Sequence, residues 1–182
     1  MNMRALRPDE IEVRVGQVGQ DKKGNGYATM LLYKNARTDM AILDETYGAM
    51  NWQDDYKEVK GNLYCGIGVW DEVKGEWVWK WDCGTESNTE KEKGEASDAF
   101  KRAGFRWGIG RELYTAPFIY MQVATVPNGK GGYKLHNPKE FNGIYVSQIR
   151  TVEENGKLKI TALELSQKAQ GKAMVVYQWK ER

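Results

Sequence analysis

The residues best suited to chemistry in this 182-residue chain are cations gathered in one stretch. Lys101, Arg102 and Arg106 fall inside residues 88–111 (NTEKEKGEASDAFKRAGFRWGIGR), and no carboxylate lies between Lys101 and Arg111. Clustered Lys and Arg suit phosphate ligands, because guanidinium forks and ammonium groups donate to several oxygens at once. On an isolated helix the same cluster is more often a solvated basic face. A second feature is the alternation of Trp77, Trp79 and Trp81, which puts three indoles on one face of a strand. Such a ladder either stacks flat ligands or packs, and packing is the expectation for strand aromatics.

Other chemistries lack their parts. The single His136 and the distant Cys65 and Cys83 do not have zinc-ligand spacing. No Ser/His/acid arrangement is credible around one turn-bound histidine. Residues 104–110 (GFRWGIG) lack the Lys-Ser/Thr and the preceding strand of a phosphate-cradling loop. Asp54-Asp55 is an acidic pair expected to face solvent. No enzyme, no cofactor and no metal are expected.

The elements that must carry the cations follow from periodicity. Ala96, Phe100, Ala103 and Trp107 recur at helical spacing and form an apolar stripe. Thr89 and Glu92 can form a capping box, with Glu90 in the first turn, and Gly108 or Gly110 ends the helix. Gly104 is a weak point within it. Before the helix, residues 51–60, 63–71 and 76–83 read as three strands joined by turns at Gly61-Asn62 and Lys74-Gly75. Leu63, Cys65, Ile67 and Val69 share one face, which gives the helical stripe a sheet to cover.

Upstream, Ile11, Val13 and Val15 alternate with polar residues as a strand. Residues 19–26 form a loop carrying Lys22 and Lys23, and residues 27–33 return as the second strand of a hairpin. A short helix follows over 35–48, with Thr38 or Asp39 as its cap, Met40, Leu43 and Tyr47 as its apolar face, and Gly48 as its stop. After Pro117, residues 118–126, 133–135, 143–153, 157–165 and 174–179 read as short strands. The expected fold is α+β: an antiparallel β-β-β-α core preceded by a hairpin and short helix, with a β-rich C-terminal part. The expected division is a core domain at 1–116 and a subdomain at 117–182.

Composition bounds the function. Hydrophobic content of 41% and charge of 29% are those of a globular chain, and a net charge of +2 leaves any basic site to local clustering. Aromatic residues are biased toward the types with a polar handle, with 7 Trp and 10 Tyr against 4 Phe, which suits half-exposed surfaces. MNMRALRPDE has no apolar signal region and no run is long enough to span a membrane, so a cytoplasmic protein with reduced thiols is expected.

The order of elements, together with SDAFKRAGFRWGIG, resembles the annealing domain of the Rad-fifty-two-like superfamily, which includes phage single-strand annealing proteins. The resemblance rests on Tyr47-Gly48 at the end of the short helix, the meander over 51–83, Asp98, Lys101-Arg102-Ala103 and Trp107-Gly108. It covers roughly Arg14 to Arg111 and does not extend over 117–182. It implies a DNA groove formed by Lys101 and Arg102 with Arg14 and Tyr33 on the opposite wall and Arg37 nearby. It also implies an Arg on the next helical turn, here Arg106, five residues after Lys101 rather than four. Lys93 matches a basic position of an outer strand site. The implied activity is ATP-independent binding and annealing of single-stranded DNA in homologous recombination, by a phage-encoded homo-oligomeric ring or filament. A host single-strand-binding protein is an implied partner. Two other classes fit the residues alone: a passive single-strand binder, and a structural or partner-binding phage protein.

Overall fold

Alternating side chains and positive-φ turn residues decide where this chain folds into strands. The computed structural model describes residues 3–85, 91–169 and 171–181, and covers the backbone alone at 91–93 and 169. The protein is mixed α+β, with two α-helices and about 50% of residues in mostly antiparallel strands, which include a nearly closed barrel. The elements are β1 (Glu12–Gln20), β2 (Gly26–Tyr33), α1 (Ala36–Tyr47), β3 (Trp52–Val59), β4 (Asn62–Asp71), β5 (Glu76–Cys83) and α2 (Lys91–Trp107). They continue as β6 (Ile119–Gln122), β7 (Thr125–Pro127), β8 (Tyr133–Leu135), β9 (Ile144–Glu154), β10 (Lys157–Ala169) and β11 (Lys172–Lys180).

Two compact units form, and they interleave along the chain. One contains Met1–Leu6 with Lys34–Arg111; the other contains Arg7–Tyr33 with Glu112–Arg182. The boundary read from sequence after residue 116 follows chain order, whereas the compact units do not. The hairpin β1–β2 pairs into a six-stranded sheet of order β11-β10-β9-β1-β2-β6. It joins β9 through Glu12 opposite Tyr145, and β6 through Tyr27–Met30 opposite Gln122–Ile119. The run 118–126, read as one strand, is two: β6 extends this sheet, while β7 pairs with β8. Ala28, Met30, Ile119, Val146, Ile160, Leu163 and Leu165 are buried in this unit.

In the first unit β3, β4 and β5 form a three-stranded antiparallel sheet in chain order. Lys60 and Gly61, with φ of 53° and 75°, close the first turn in the left-handed pair of conformations that matches strand twist. Cys65, Ile67 and Val69 of β4 are buried, with Val78, Lys80 and Asp82 of β5 opposite them on the same face. Helix α2 lies on that face: the Trp107 indole N–H donates to the Ile67 carbonyl at 2.9 Å, and Glu95 Oε1 accepts from the Leu63 N–H at 3.1 Å. Its most buried residues are Ala99, Phe100 and Ala103, so the stripe is centred slightly off the one drawn through Ala96 and Trp107. The capping box read at Thr89 and Glu92, with Glu90, lies outside the described residues. Gly108, with φ of 109°, follows the last helical residue.

Two expectations for α1 are corrected. Its cap is Asn35, whose side chain accepts from the Thr38 N–H, rather than Thr38 or Asp39. Its buried face is Thr38, Asp39, Ile42 and Leu43, while Met40 is 40% exposed. Thr38 and Asp39 are polar but buried, which hid this face from an apolar count. The reason lies in α2. A Cβ on Gly104 would sit 2.2 Å from Asp39 Oδ1, so the glycine allows helix backbone to close over a buried carboxylate. Its cost in helix propensity is about 1 kcal/mol relative to alanine. That loss is smaller than the overpacking an added methyl would cause, commonly about 1–3 kcal/mol, together with the displaced ion pair below it. Gly104→Ala is therefore expected to lower unfolding free energy by about 2 kcal/mol in urea titrations. A gain, as propensity alone would give, would contradict this packing.

Candidate nucleic-acid interface

Helix α2 presents its cations because one acid on the adjacent strand holds two of them. Arg102 and Arg106 are one turn apart and point the same way. Asp82 lies between them: its Oδ1 accepts from Arg102 Nε and Nη2, both at 3.2 Å, and its Oδ2 accepts from Arg106 Nε at 3.0 Å. The Asp82 side chain is 14% exposed, whereas Arg102 and Arg106 are 49% and 57% exposed. Burial pushes the Asp82 carboxyl up, but hydrogen bonds from Arg106, the Cys83 N–H and Arg102 outweigh it and hold the group below the usual carboxylate range. The acid thus remains ionised and fixes two guanidinium planes whose other N–H groups are still donors.

Lys101 sits on the neighbouring flank, with Nζ 3.9 Å from Asp98 Oδ1. Asp98 also accepts from the Thr85 N–H at 3.1 Å and the Thr85 hydroxyl at 3.2 Å. At the end of α2, Arg111 donates to the carbonyls of Phe105 (2.8 Å) and Arg106 (2.6 Å), and Lys80 donates to the latter at 3.3 Å. These two cations satisfy last-turn carbonyls and oppose the negative end of the helix dipole. Lys80 also lies 4.1 Å from the Trp107 ring centroid; burial, then the charge of Arg111, lowers its ammonium pKa.

Beneath this face is a buried ion pair. Lys34 Nζ meets Asp39 Oδ1 at 2.5 Å and also donates to the Lys101 carbonyl at 3.3 Å. Asp39 Oδ2 has no hydrogen-bond partner among the described residues. A Cβ on Gly110 would come within 2.7 Å of Lys34 Cε, so a second glycine makes room for this lysine. Lys34 therefore ties the segment before α1 to the turn of α2 that carries Lys101.

The other residues read from sequence fall in different places. Arg37 is exposed on the first turn of α1, in the same unit as α2. Lys93 lies on α2, and its side chain is outside the described residues. Arg14 and Tyr33 belong to the second unit, where the Arg14 guanidinium lies 5.4 Å from the Tyr33 ring centroid. A hydrogen bond with Glu12 is the leading cause of a raised Tyr33 hydroxyl pKa, with burial next. The structure thus brings together Lys101, Arg102 and Arg106, and separately Arg14 and Tyr33. Sequence reasoning missed Asp82, Lys80, Arg111, Lys34 and Asp39. For Lys80 and Asp82 the signal was present: if Trp77, Trp79 and Trp81 share one face of β5, Val78, Lys80 and Asp82 must share the other.

Among the described residues, no group of three or more His, Cys, Asp or Glu is placed to hold a metal ion. Cys65 and Cys83 are free thiols on opposite faces of neighbouring strands, and burial pushes the Cys65 thiol up to about 12. Among the described residues, no helix is long and apolar enough to cross a membrane. No protein-family model, curated protein or solved structure matches the chain.

The buried pair has a pH signature. Burial raises the Asp39 carboxyl to about 6, and the Lys34 charge opposes that rise without cancelling it. The folded carboxyl keeps its proton to higher pH than the unfolded one, whose pKa is near ~3.9. Its contribution to stability is therefore complete below about pH 4 and is lost as pH rises through about 6. The unfolding free energy of wild type minus that of Asp39→Asn is expected to fall across this window and level off above it. A difference that climbs over the same range would mean that Lys34, not burial, dominates the carboxyl.

Proposed function

We propose that this protein binds single-stranded DNA and anneals complementary strands without ATP, as an oligomer working in homologous recombination. The observation that carries the reading is the Asp82-held pair of exposed guanidiniums on α2, with Lys101 one step along the helix. Three cations on one rigid surface can follow a phosphate backbone, and contacts of that kind are indifferent to sequence. Neutralising one strand lowers its repulsion toward a complement, which is the barrier an annealing protein must reduce. In this reading the β3–β5 meander and α2 form the β-β-β-α core of an annealing domain, with Arg37 and Lys93 of the same unit as further DNA contacts; Arg14 and Tyr33 are DNA contacts carried by the other unit. A net charge of +2 gives each subunit little long-range attraction, so a ring or filament repeats the site and raises avidity. A phage origin, a cytoplasmic setting and a host single-strand-binding protein as partner belong to the same proposal.

Asp82 gives the site a brake. An arriving phosphate competes with a carboxylate already bound to both arginines, which keeps binding reversible enough for strands to be exchanged.

Two measurements test this reading. Wild type is expected to accelerate annealing of complementary dye-labelled oligonucleotides without ATP, and Lys101→Ala/Arg102→Ala to lose that acceleration while remaining folded. Loss of two charge-assisted contacts predicts binding weaker by at least about tenfold, with the log–log salt slope shallower by about 0.7 per lost phosphate contact. Asp82→Asn is expected to bind strands about fivefold more tightly, the scale of one released surface ion pair. A folded double variant that binds and anneals as wild type does would remove the proposal. Binding without acceleration would leave a passive strand binder, and indifference to nucleic acid a structural protein.

A further inference from the structure

The sequence ladder of indoles does not lie under α2. Trp77, Trp79 and Trp81 occupy the face of β5 opposite Val78, Lys80 and Asp82, and therefore the side of the meander turned away from the helix. On β4 this side carries Gly66 opposite Trp81 and Gly68 opposite Trp79. A Cβ on Gly66 would fall 2.5–2.6 Å from Cε2, Cδ2 and Cζ2 of Trp81, and one on Gly68 2.8–2.9 Å from the same atoms of Trp79. Two of those atoms are the ring-fusion carbons, so each indole lies flat across a glycine. Trp79 and Trp81 are stacked side by side, with centroids 5.5 Å apart and planes inclined by 25°. One face of each ring rests on the β4 backbone; both side chains are half-buried, and Lys57 lies over Trp81. Trp70 and Trp77 meet edge to face at 5.6 Å, so they bound this pavement rather than extend it.

We propose that the Trp79–Trp81 pavement is a second contact surface for single-stranded nucleic acid, holding bases by stacking. The choice of ligand rests on the reading of the chain as a strand-binding protein. Stacking on an aromatic face is sequence-tolerant, because every base has a π-face. The charge at the rings fits a nucleotide: Lys57 Nζ lies over Trp81, 4.2 Å from its ring centroid, with its side chain 59% exposed. Its partner Asp55 is 3.4 Å away and itself 49% exposed, so the pair is weak, and the ammonium can leave the ring for a phosphate as a base takes its place over Trp81. A second copy of this chain fits poorly, since the β3 half of this face carries Gln53, Asp55 and Lys57, all exposed. Burying those charges against a like surface would cost more than the aromatic half returns.

Rings that merely shield glycines in an antiparallel sheet, as in aromatic rescue, would give no preference for a base-bearing over an abasic strand. That difference defines the test on the full-length chain. The probes are an oligothymidylate and an abasic deoxyribose-phosphate strand of equal length and charge, titrated at one salt concentration. Wild type should prefer the base-bearing strand by about tenfold per stacked base, and that strand alone should quench indole fluorescence. Trp79→Leu/Trp81→Leu should lose the preference with its salt slope unchanged, whereas Trp79→Tyr/Trp81→Tyr should keep it. Wild type binding both strands equally and without quenching would overturn the proposal, as would a preference that survives in a folded Leu pair. A Leu pair that loses oligomeric mass but keeps base preference would reassign the face to contact between copies. Annealing is read separately: if base preference is present but no acceleration occurs, the annealing reading fails and this one stands.

Discussion

Everything in the first unit depends on how closely α2 can approach its neighbours. Gly104 lets its backbone close on Asp39, and Gly84 lets the end of β5 come up against it, where a Cβ would meet the Glu95 carbonyl oxygen at 2.2 Å. Ala99 and Ala103 continue this small-residue surface, and Phe100 is buried beside them, with Trp52 centred 6.1 Å from its ring. Small residues on both partners allow backbone-to-backbone contact, which larger side chains would prevent. The Lys34–Asp39 pair fills the space that remains. A buried pair of this kind is weak as a source of net stability, because desolvation of both ions offsets their attraction. Its contribution is positional: Lys34 can satisfy Asp39 and the Lys101 carbonyl together only when the two segments are in register.

That positional precision passes to the surface. Arg102 and Arg106 are long, rotamer-rich side chains, and their guanidiniums would wander if left to solvent. Asp82 removes that freedom, at the cost of local neutralisation. The outcome is a site whose geometry is set before any ligand arrives but whose net charge stays modest. Lys80 and Arg111 are different in kind. Their hydrogen bonds go to the carbonyls that end α2, so they belong to the helix terminus and contribute to the field around the site through the same cations. On β5 alternation separates two chemistries, with Lys80 and Asp82 on the helix side and the tryptophans on the other.

Local periodicity made most elements readable. The turn at Asn155-Gly156 adopts the left-handed conformations that its residue types suggest, whereas the turn read at Gly61-Asn62 lies one residue earlier, at Lys60-Gly61, with Asn62 already in β4. The strand faces were readable too, because alternation on β4 and β5 leaves no freedom once one face is assigned. Three things were not readable. The partner of the β1–β2 hairpin is more than a hundred residues away, and alternation says which face is buried but not which strand lies alongside. The buried face of α1 runs through Thr38 and Asp39, polar residues that an apolar stripe skips. Gly104 scored as a defect in a helix because propensity is a local quantity, while the reason for the glycine is a carboxylate on another element. Of the site, the cations were legible as a cluster; the acid that orders them was legible only through the opposite face of a strand chosen for its tryptophans.

The pairing of β1 with β9 also has a consequence for synthesis. The hairpin emerges from the ribosome early, yet its neighbour in the sheet, Tyr145 opposite Glu12, follows after the whole of the first unit has been made. At ordinary rates that delay is on the order of ten seconds. During it, residues 34–111 can complete their own contacts, while β1 and β2 wait with outer strand edges unpaired. The order of synthesis thus gives the segment inserted between the two halves of the six-stranded sheet the chance to close before the earliest strands meet their neighbours.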